Sequence, residues 1–354
     1  MSADSSEGDQ FLCFFLAEPG LAEAERPWDT LLSTIKVRLM DPYQLSVLRE
    51  LGDHGSVAAT ARALGVSPSA VSQSLAALQR KFKAPLTQKR GRSVELTDAG
   101  QALAVAAIAV SEAITRAEAT VDEFVGGIDR TVRVSAFHSA AMTFFPELAA
   151  LEHTEGFPVV ECVDEDVDRV SFPALTASYD IVIGHRMSHT PPWPRDRLAV
   201  LSLLREPMDV AMHSSHDLAM KKTLKPSDLV GTTWISTHAG FSPADMLDAV
   251  AAAAGYPMRV VHRINDFSTA AAMVSEGGHL ALLPRHTVRI PASQDVVLRP
   301  LEGVQTVRHV DMLVRPERVV HRAVAVVIDA LRGIAQSHVQ TPSVRSAHAQ
   351  ESTR

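Results

Sequence analysis

Ser69, Ser72 and Gln73 fall at spacings that place all three on one face if their segment is helical. A glutamine amide flanked by small hydroxyls suits the major groove of DNA, where Gln can pair with a base edge. Downstream stand Arg80, Lys81, Lys83, Lys89, Arg90 and Arg92 with no intervening Asp or Glu, in a chain whose formal charge is −7. A cationic cluster that opposes the global balance points to phosphate neutralisation and counterion release. The candidate DNA-contact set is Ser67, Pro68, Ser69, Ser72, Gln73, Lys89, Arg90, Arg92 and Thr97.

These residues need a scaffold, and the pattern supplies one. A first helix is expected over Asp41–Gly52, with Leu45, Leu48 and Leu51 on one face. Ser56 is a suitable N-cap for a second helix whose Val57, Ala61 and Leu64 share a face. Gly65 permits the positive φ of a tight turn, and Ser67–Pro68 restart a helix, cap first and proline at its first position. That third helix buries Val71, Leu75 and Leu78 and turns Ser69, Ser72, Gln73 and Ala76 outward. The result is a helix-turn-helix followed by a basic wing.

The segment Gly55–Gly100 resembles the N-terminal winged helix-turn-helix of LysR-type transcriptional regulators. Ala58–Ala59, Leu64, Val66–Ser67, Ala70–Val71–Ser72, Leu78, Leu86, Lys89, Arg92, Leu96–Thr97 and Gly100 carry the likeness. Gln79, Phe82–Lys83, Thr87 and Lys89 depart from the family pattern, and a lysine at a left-handed helix C-cap would cost about 1 kcal/mol. The resemblance implies double-stranded operator DNA as a partner, with RNA polymerase as a further one.

After the wing, Leu103, Ala107, Val110, Ile114, Ala117, Val121 and Phe124 alternate spacings of four and three, with no Gly or Pro from Gln101 to Val125. Such a heptad seam wants a partner helix. The expected dimerisation residues are Leu103, Val110, Ile114, Val121 and Phe124, with Gly126–Gly127 ending the helix as a hinge. A homodimer or homotetramer follows, because palindromic operators need two-fold proteins.

From Thr131 short apolar runs alternate with helical stretches, which argues for α/β layers with mostly parallel sheets. Strands are expected at Val132–Ser135, Val159–Val163, Asp180–Ile183, Met208–Met212, Thr233–Ser236, Val260–Ile264, Leu280–Leu283 and Val310–Val314. Helices are expected at Ala140–Glu152, Pro243–Ala254, Phe267–Glu276 and Glu317–Ile334. The stretches RVSAFHSAAMTFFPELAALE, YDIVIG and EGGHLALLP are similar to the co-inducer domain of LysR-type proteins, a two-lobed fold of the periplasmic-binding-protein-like type 2 class. That likeness implies lobe I over 131–208 and 309–336, lobe II over 209–308, and crossovers near 205–212 and 306–313. It also implies a small-molecule effector between the lobes, held by His138, Ser139, His185, Ser236, Thr237, Asn265 and Phe267. Ser139 is open to two roles, capping its helix or donating to a ligand carboxylate.

The expected organisation is a disordered extension over 1–39, a winged helix-turn-helix over 40–100, a linker and dimerisation helix over 101–127, the co-inducer domain over 131–336 and a disordered tail over 337–354. Two cysteines, Cys13 and Cys162, argue against a disulfide framework and fit a reducing cytoplasm. The apolar patch Phe11–Leu16 is too short for a secretory core or a membrane span. His213 and His216, or His185 and His189, have ligand-like spacing, but no Cys or Glu cluster joins them, so no metal or cofactor is expected. Nothing has the pattern of a nucleophile elbow, a phosphate-cradling glycine loop or paired catalytic carboxylates, so no enzyme is expected. The alternatives are a DNA-architectural protein without an effector, and a solute-binding module.

Overall fold

The computed structural model describes residues 40–91, 93–125, 130–188, 190–239 and 241–340. The extension over 1–39, Arg92, the Gly126–Gly127 hinge, His189 and residues 341–354 of the expected tail lie outside the described residues.

The N-terminal part begins with α1 (Pro42–His54), capped by the Asp41 carboxylate, which accepts from the Tyr43 amide at 2.9 Å. Helix α2 (Val57–Leu64) starts at Ser56, whose hydroxyl accepts from Ala59 N, and stops at Gly65 with φ 64°. Helix α3 (Pro68–Gln79) starts at Ser67, which accepts from Ala70 N. Caps and turn therefore follow the sequence pattern. The far end of α3 does not. The helix stops at Gln79 with Arg80 as a right-handed C-cap, so Lys83 lies three residues past the cap instead of at it. Gln79 holds the exit in place: its amide donates to Phe82 O and Ala84 O and accepts from Leu86 N. A glutamate there has no N–H to donate, which gives this departure from the family pattern a structural use.

Strands β1 (Thr87–Arg90) and β2 (Ser93–Leu96) pair antiparallel as the wing. Helix α4 (Asp98–Val125) follows, 28 residues long and so about 42 Å. Leu45, Leu48, Leu78, Leu86, Ala104 and Ala107 form one buried cluster, and Val47, Ala61 and Val71 a second. The first turns of α4 thus belong to the core of the DNA-binding part.

The C-terminal part is a mixed sheet of two lobes. In chain order it comprises β3 (Val132–Ala136), α5 (His138–Leu151), β4 (Val160–Asp164), α6 (Phe172–Leu175), β5 (Ile181–Met187) and β6 (Ala199–His213). There follow β7 (Thr233–Ser236), α7 (Ser242–Ala254), β8 (Arg259–Arg263), α8 (Phe267–Ser275), β9 (Leu280–Pro284) and β10 (Val296–Arg299). The chain closes with β11 (Val307–Val314), α9 (Pro316–Val319) and α10 (Arg322–Gln340). The strand order is β4-β3-β5-β11-β6-β9-β7-β8, with β10 on β6. Strand β6 changes partners midway: Ala199–Pro207 pair with β11, whereas Met208–Ala211 pair with β9. One strand therefore runs through both lobes.

Several expectations are corrected here. The sheet is not mostly parallel, because β11 runs antiparallel to both β5 and β6, and β6 runs antiparallel to β9 and β10. Strand β6 is 15 residues, three times the expected run, since its polar residues Ser202, Arg205 and Glu206 break the apolar pattern without breaking the strand. Strand β10 had no expectation; four residues carry too little periodicity to announce it. The expected helix over Glu317–Ile334 is two helices, α9 and α10, and the second continues to Gln340 across the expected start of the tail.

Gly100 marks the tightest joint in the DNA-binding part. A Cβ there would lie 1.9 Å from the Leu86 carbonyl oxygen, which already accepts from Thr97 N. Gly100→Ala must push the wing off the start of α4. We expect a loss of about 2–3 kcal/mol, read from the urea midpoint of the DNA-binding part; a change within about 0.5 kcal/mol would mean that this joint relaxes freely.

Candidate nucleic-acid interface and interlobe cleft

Helix α3 presents Ser67, Pro68, Ser69, Ser72, Gln73 and Ala76 to solvent while Val71 and Leu78 anchor it. Two of the hydroxyls are engaged locally. Ser69 shares a hydrogen bond with Ser67 Oγ at 2.8 Å, and Ser72 donates to Pro68 O. The Gln73 amide is exposed and has no hydrogen-bond partner among the described residues. It is the polar group on this face with its full bonding capacity available. The hairpin that follows turns at Gly91 (φ 62°) and exposes Lys89 and Arg90, the latter 3.4 Å from Glu95 in an exposed pair worth little.

Thr97 is placed differently from the expectation. Its hydroxyl donates to Pro85 O at 2.6 Å and accepts from Gly100 N at 3.1 Å. It caps α4 and ties the helix to the residues before the wing, so it positions the interface from within the fold.

The heptad seam divides along α4. Leu103 is half-buried against the Leu45 cluster, and Ala107 is buried in it. Val110, Ile114 and Val121 are 38%, 37% and 63% exposed, an apolar line without cover in the single chain. The Phe124 side chain lies outside the described residues.

Between the lobes, His138, Ser139, His185, Thr237, Asn265 and Phe267 line one cavity together with Phe137, Asp166, Phe241, Pro243 and Arg308. Ser236 lines a neighbouring one, under Trp234 and Leu247. The shared cavity holds only about 30 Å³, room for a water molecule or two. Four separate segments supply these residues, and three of the contributions come from the ends of β3, β5 and β7, where a crevice forms in such sheets.

Two buried residues that the sequence reading missed dominate this cleft. Arg308 and Glu206 are directly opposite each other on β11 and β6 and are 2% and 0% exposed. Arg308 Nε donates to Glu206 at 2.8 Å, and Nη2 donates to Ser139 Oγ at 3.1 Å and Thr287 Oγ1 at 2.8 Å. Glu206 also accepts from the His286 and Thr287 amides. The guanidinium faces the rings of Phe137 and Phe267, 5.0 and 5.6 Å from their centroids. Both sit on the covered side of strands that alternate in burial at this level, where a charge needs a partner. Ser139 lies within α5 and does not cap it; the cap residue is Phe137, with no side-chain bond.

His138 reaches across the cleft mouth, 3.4 Å from Asp164 on one lobe and 3.3 Å from Asp266 on the other. Burial works against the Asp266 charge, but Thr269, through its hydroxyl and amide, and His138 hold its carboxyl below the ordinary range. His213 and His216 spend their Nδ1 atoms on local turns, and among the described residues no group of three or more His, Cys, Asp or Glu could hold a metal.

His185 packs edge-on to Phe137 and Phe172 at 4.5 and 5.5 Å. Burial, with Arg308 and Arg169 adding repulsion, depresses its pKa to about 3. The unfolded chain takes up this proton below about pH 6.5 and the folded chain does not. Stability is therefore complete above pH 6.5 and falls as pH drops toward 3, with a limiting slope of about 1.4 kcal/mol per unit. Wild type should lose about 2 kcal/mol more than His185→Asn between pH 7 and pH 5 in urea titrations; equal losses would show that His185 protonates in the folded state.

The family model described as the LysR substrate binding domain matches residues 126–336, and that of the bacterial regulatory helix-turn-helix protein, lysR family, matches residues 42–101. The chain is 24% identical over 282 residues to the transcriptional dual regulator GltC of Bacillus subtilis, covering 77% of this chain and 90% of that one. It is 25% identical over 276 residues to the HTH-type regulator CbbR of Rhodospirillum rubrum, covering 77% and 89%. Among solved structures, a full-length OxyR variant with one cysteine replaced by aspartate, from Pseudomonas aeruginosa, superposes with a TM-score of 0.58 at 20% identity, covering 84% and 97% of the two chains. That likeness speaks for the fold, and the two matched models speak for the lineage: the chain belongs to the LysR family of transcriptional regulators.

Proposed function

We propose that this regulator binds operator DNA as a dimer of winged helix-turn-helix units, with Gln73 reading a base edge and Lys89, Arg90 and Arg92 gripping phosphates. The observation that carries this is the uncommitted Gln73 amide, exposed on α3, together with the two cations exposed on the hairpin that follows. Ser67 and Ser69, bonded to each other, set the start of α3, and Ser72 keeps an accepting lone pair toward the groove. A small-molecule effector enters between the lobes; the support is that residues from four distant segments meet in one cavity lined by aromatic rings, imidazoles and a guanidinium. Because that cavity is small, binding requires the lobes to part, which gives the ligand a conformational lever. The lever would act on DNA geometry or on RNA polymerase. No helix among the described residues is long and apolar enough to cross a membrane, and the reading places the protein in the cytoplasm with its DNA. No catalytic role is assigned to any residue.

The base-reading role is tested with a duplex selected from a random library by the wild-type protein. Gln73→Ala should weaken binding to that duplex by roughly 1–3 kcal/mol and leave binding to scrambled DNA nearly unchanged. Equal losses on both would remove Gln73 from base recognition.

The exposed line Val110, Ile114 and Val121 is the proposed dimer seam. Ile114→Asp sets two carboxylates near each other across the two-fold axis, adding repulsion to desolvation. Sedimentation at low micromolar concentration should find the variant monomeric, with affinity for the selected duplex reduced by orders of magnitude. A dimer with wild-type affinity would place the interface elsewhere.

A further inference from the structure

Helix α1 carries two unlike faces. Leu45, Leu48 and Leu51 enter the helix-turn-helix core, whereas Arg49, Glu50 and Asp53 point to the regulatory domain. There Arg49 pairs with Glu317 at 2.7 Å, and Arg315 pairs with Glu50 and, at 2.7 Å, with Asp53. His54 lies 3.3 Å from Glu50 and adds a titratable group on the same face. Arg49, Glu50 and Arg315 are 7%, 7% and 5% exposed. A helix-turn-helix that stood free would leave such charges in water, so this burial exists only because the β11–α9 corner covers them.

The contact is specific but incompletely satisfied. Two guanidinium groups and three carboxylates meet with complementary signs, which fixes orientation as apolar packing alone does not. Yet Arg315 Nε and one Glu317 oxygen are buried without a hydrogen-bond partner. A cavity of about 340 Å³ lies alongside, bounded by Arg49, Asp53, Arg197 and Arg315. Unpaired polar atoms and empty space are features of a contact able to open. Its place in the chain also matters. Arg315 is the residue after β11, and β11 carries Arg308 in the interlobe cleft seven residues earlier, about 23 Å along the strand.

We propose that Arg49, Glu50, Asp53, Arg315 and Glu317 form an intramolecular latch that holds the helix-turn-helix on the regulatory domain, and that β11 links this latch to the cleft. The latch sets the angle at which each recognition helix is offered to DNA. Its operation does not depend on which molecule occupies the cleft.

Hydrogen exchange of the full-length chain tests it. Arg49→Glu and Glu317→Arg each place like charges together and should raise exchange of the Arg315, Glu317, Arg318 and Val319 amides at least tenfold. The double exchange, Arg49→Glu with Glu317→Arg, should return it to within twofold of wild type. Far-UV circular dichroism keeps loss of folding distinct from release, and Glu317 belongs to neither core, although Val319 on the same four-residue helix packs against one. Unchanged exchange in folded single variants, or no recovery in the folded double variant, overturns the latch. The link along β11 is tested with Thr287→Val, which removes one Arg308 partner without stranding a charge. It should raise exchange of the same amides at least threefold; an effect confined to the cleft overturns the link and leaves the latch standing.

Discussion

The Arg308–Glu206 pair is the interaction on which the regulatory domain depends. It joins β11 to β6, the two strands that pass between lobes, at the level where β6 exchanges β11 for β9 as its neighbour. Removing two charges from water costs several kcal/mol per ion, and the pair alone does not return this. The surrounding donors change the balance. Two backbone amides and the Thr287 hydroxyl reach Glu206, while Ser139 and Thr287 oxygens accept from Arg308. These bonds draw together α5, the segment after β9 and both crossover strands. A hydrophobic pair of equal volume would fill the same space without fixing four elements in one register.

The DNA-binding part rests on a different kind of constraint, close approach of backbone. Gly100 admits the Leu86 carbonyl, Thr97 bonds to Pro85 O, and Gln79 holds the Phe82–Leu86 turn from three directions. The wing therefore hangs from the helices by polar contacts to main chain and by Leu86 and Leu96, which enter the apolar cluster, not by its own two short strands. A two-stranded hairpin is marginal by itself. Its angle to α3, and with it the distance between Gln73 and the cations, is set by these three residues.

Much of this was legible. Ser56, Gly65, Ser67 and Pro68 act through local backbone geometry, which a sequence displays directly, and their caps and turn stand where the pattern puts them. The apolar line of α4 was equally visible, but its division was not: Leu103 faces its own domain because α1 packs along the first turns, whereas Val110, Ile114 and Val121 lie on a side that neither α1 nor α9 covers. For Thr97 and Ser139 the pattern left the partner open. A hydroxyl near a helix start can cap it or meet a ligand, and the choice depends on a carbonyl or guanidinium distant in sequence. Glu206 and Arg308 are separated by 102 residues, so neither announces the other to a local window.

The cleft combines a strong pivot with a weak clasp. At its base the Arg308–Glu206 network is buried and densely bonded. At its mouth the His138 imidazole stands between Asp164 and Asp266, about half exposed, at distances of 3.3–3.4 Å. Exposed pairs of this kind contribute at most about 1 kcal/mol. Separating the lobes therefore breaks little at the mouth while the pivot keeps both crossover strands in register. The rings of Phe137 and Phe267 lie against the Arg308 guanidinium, one from each lobe, so parting the lobes draws one ring away from that cation. A cavity of about 30 Å³ is thus compatible with a much larger guest, because the barrier to opening is apolar contact and a solvated imidazole, not the buried pair.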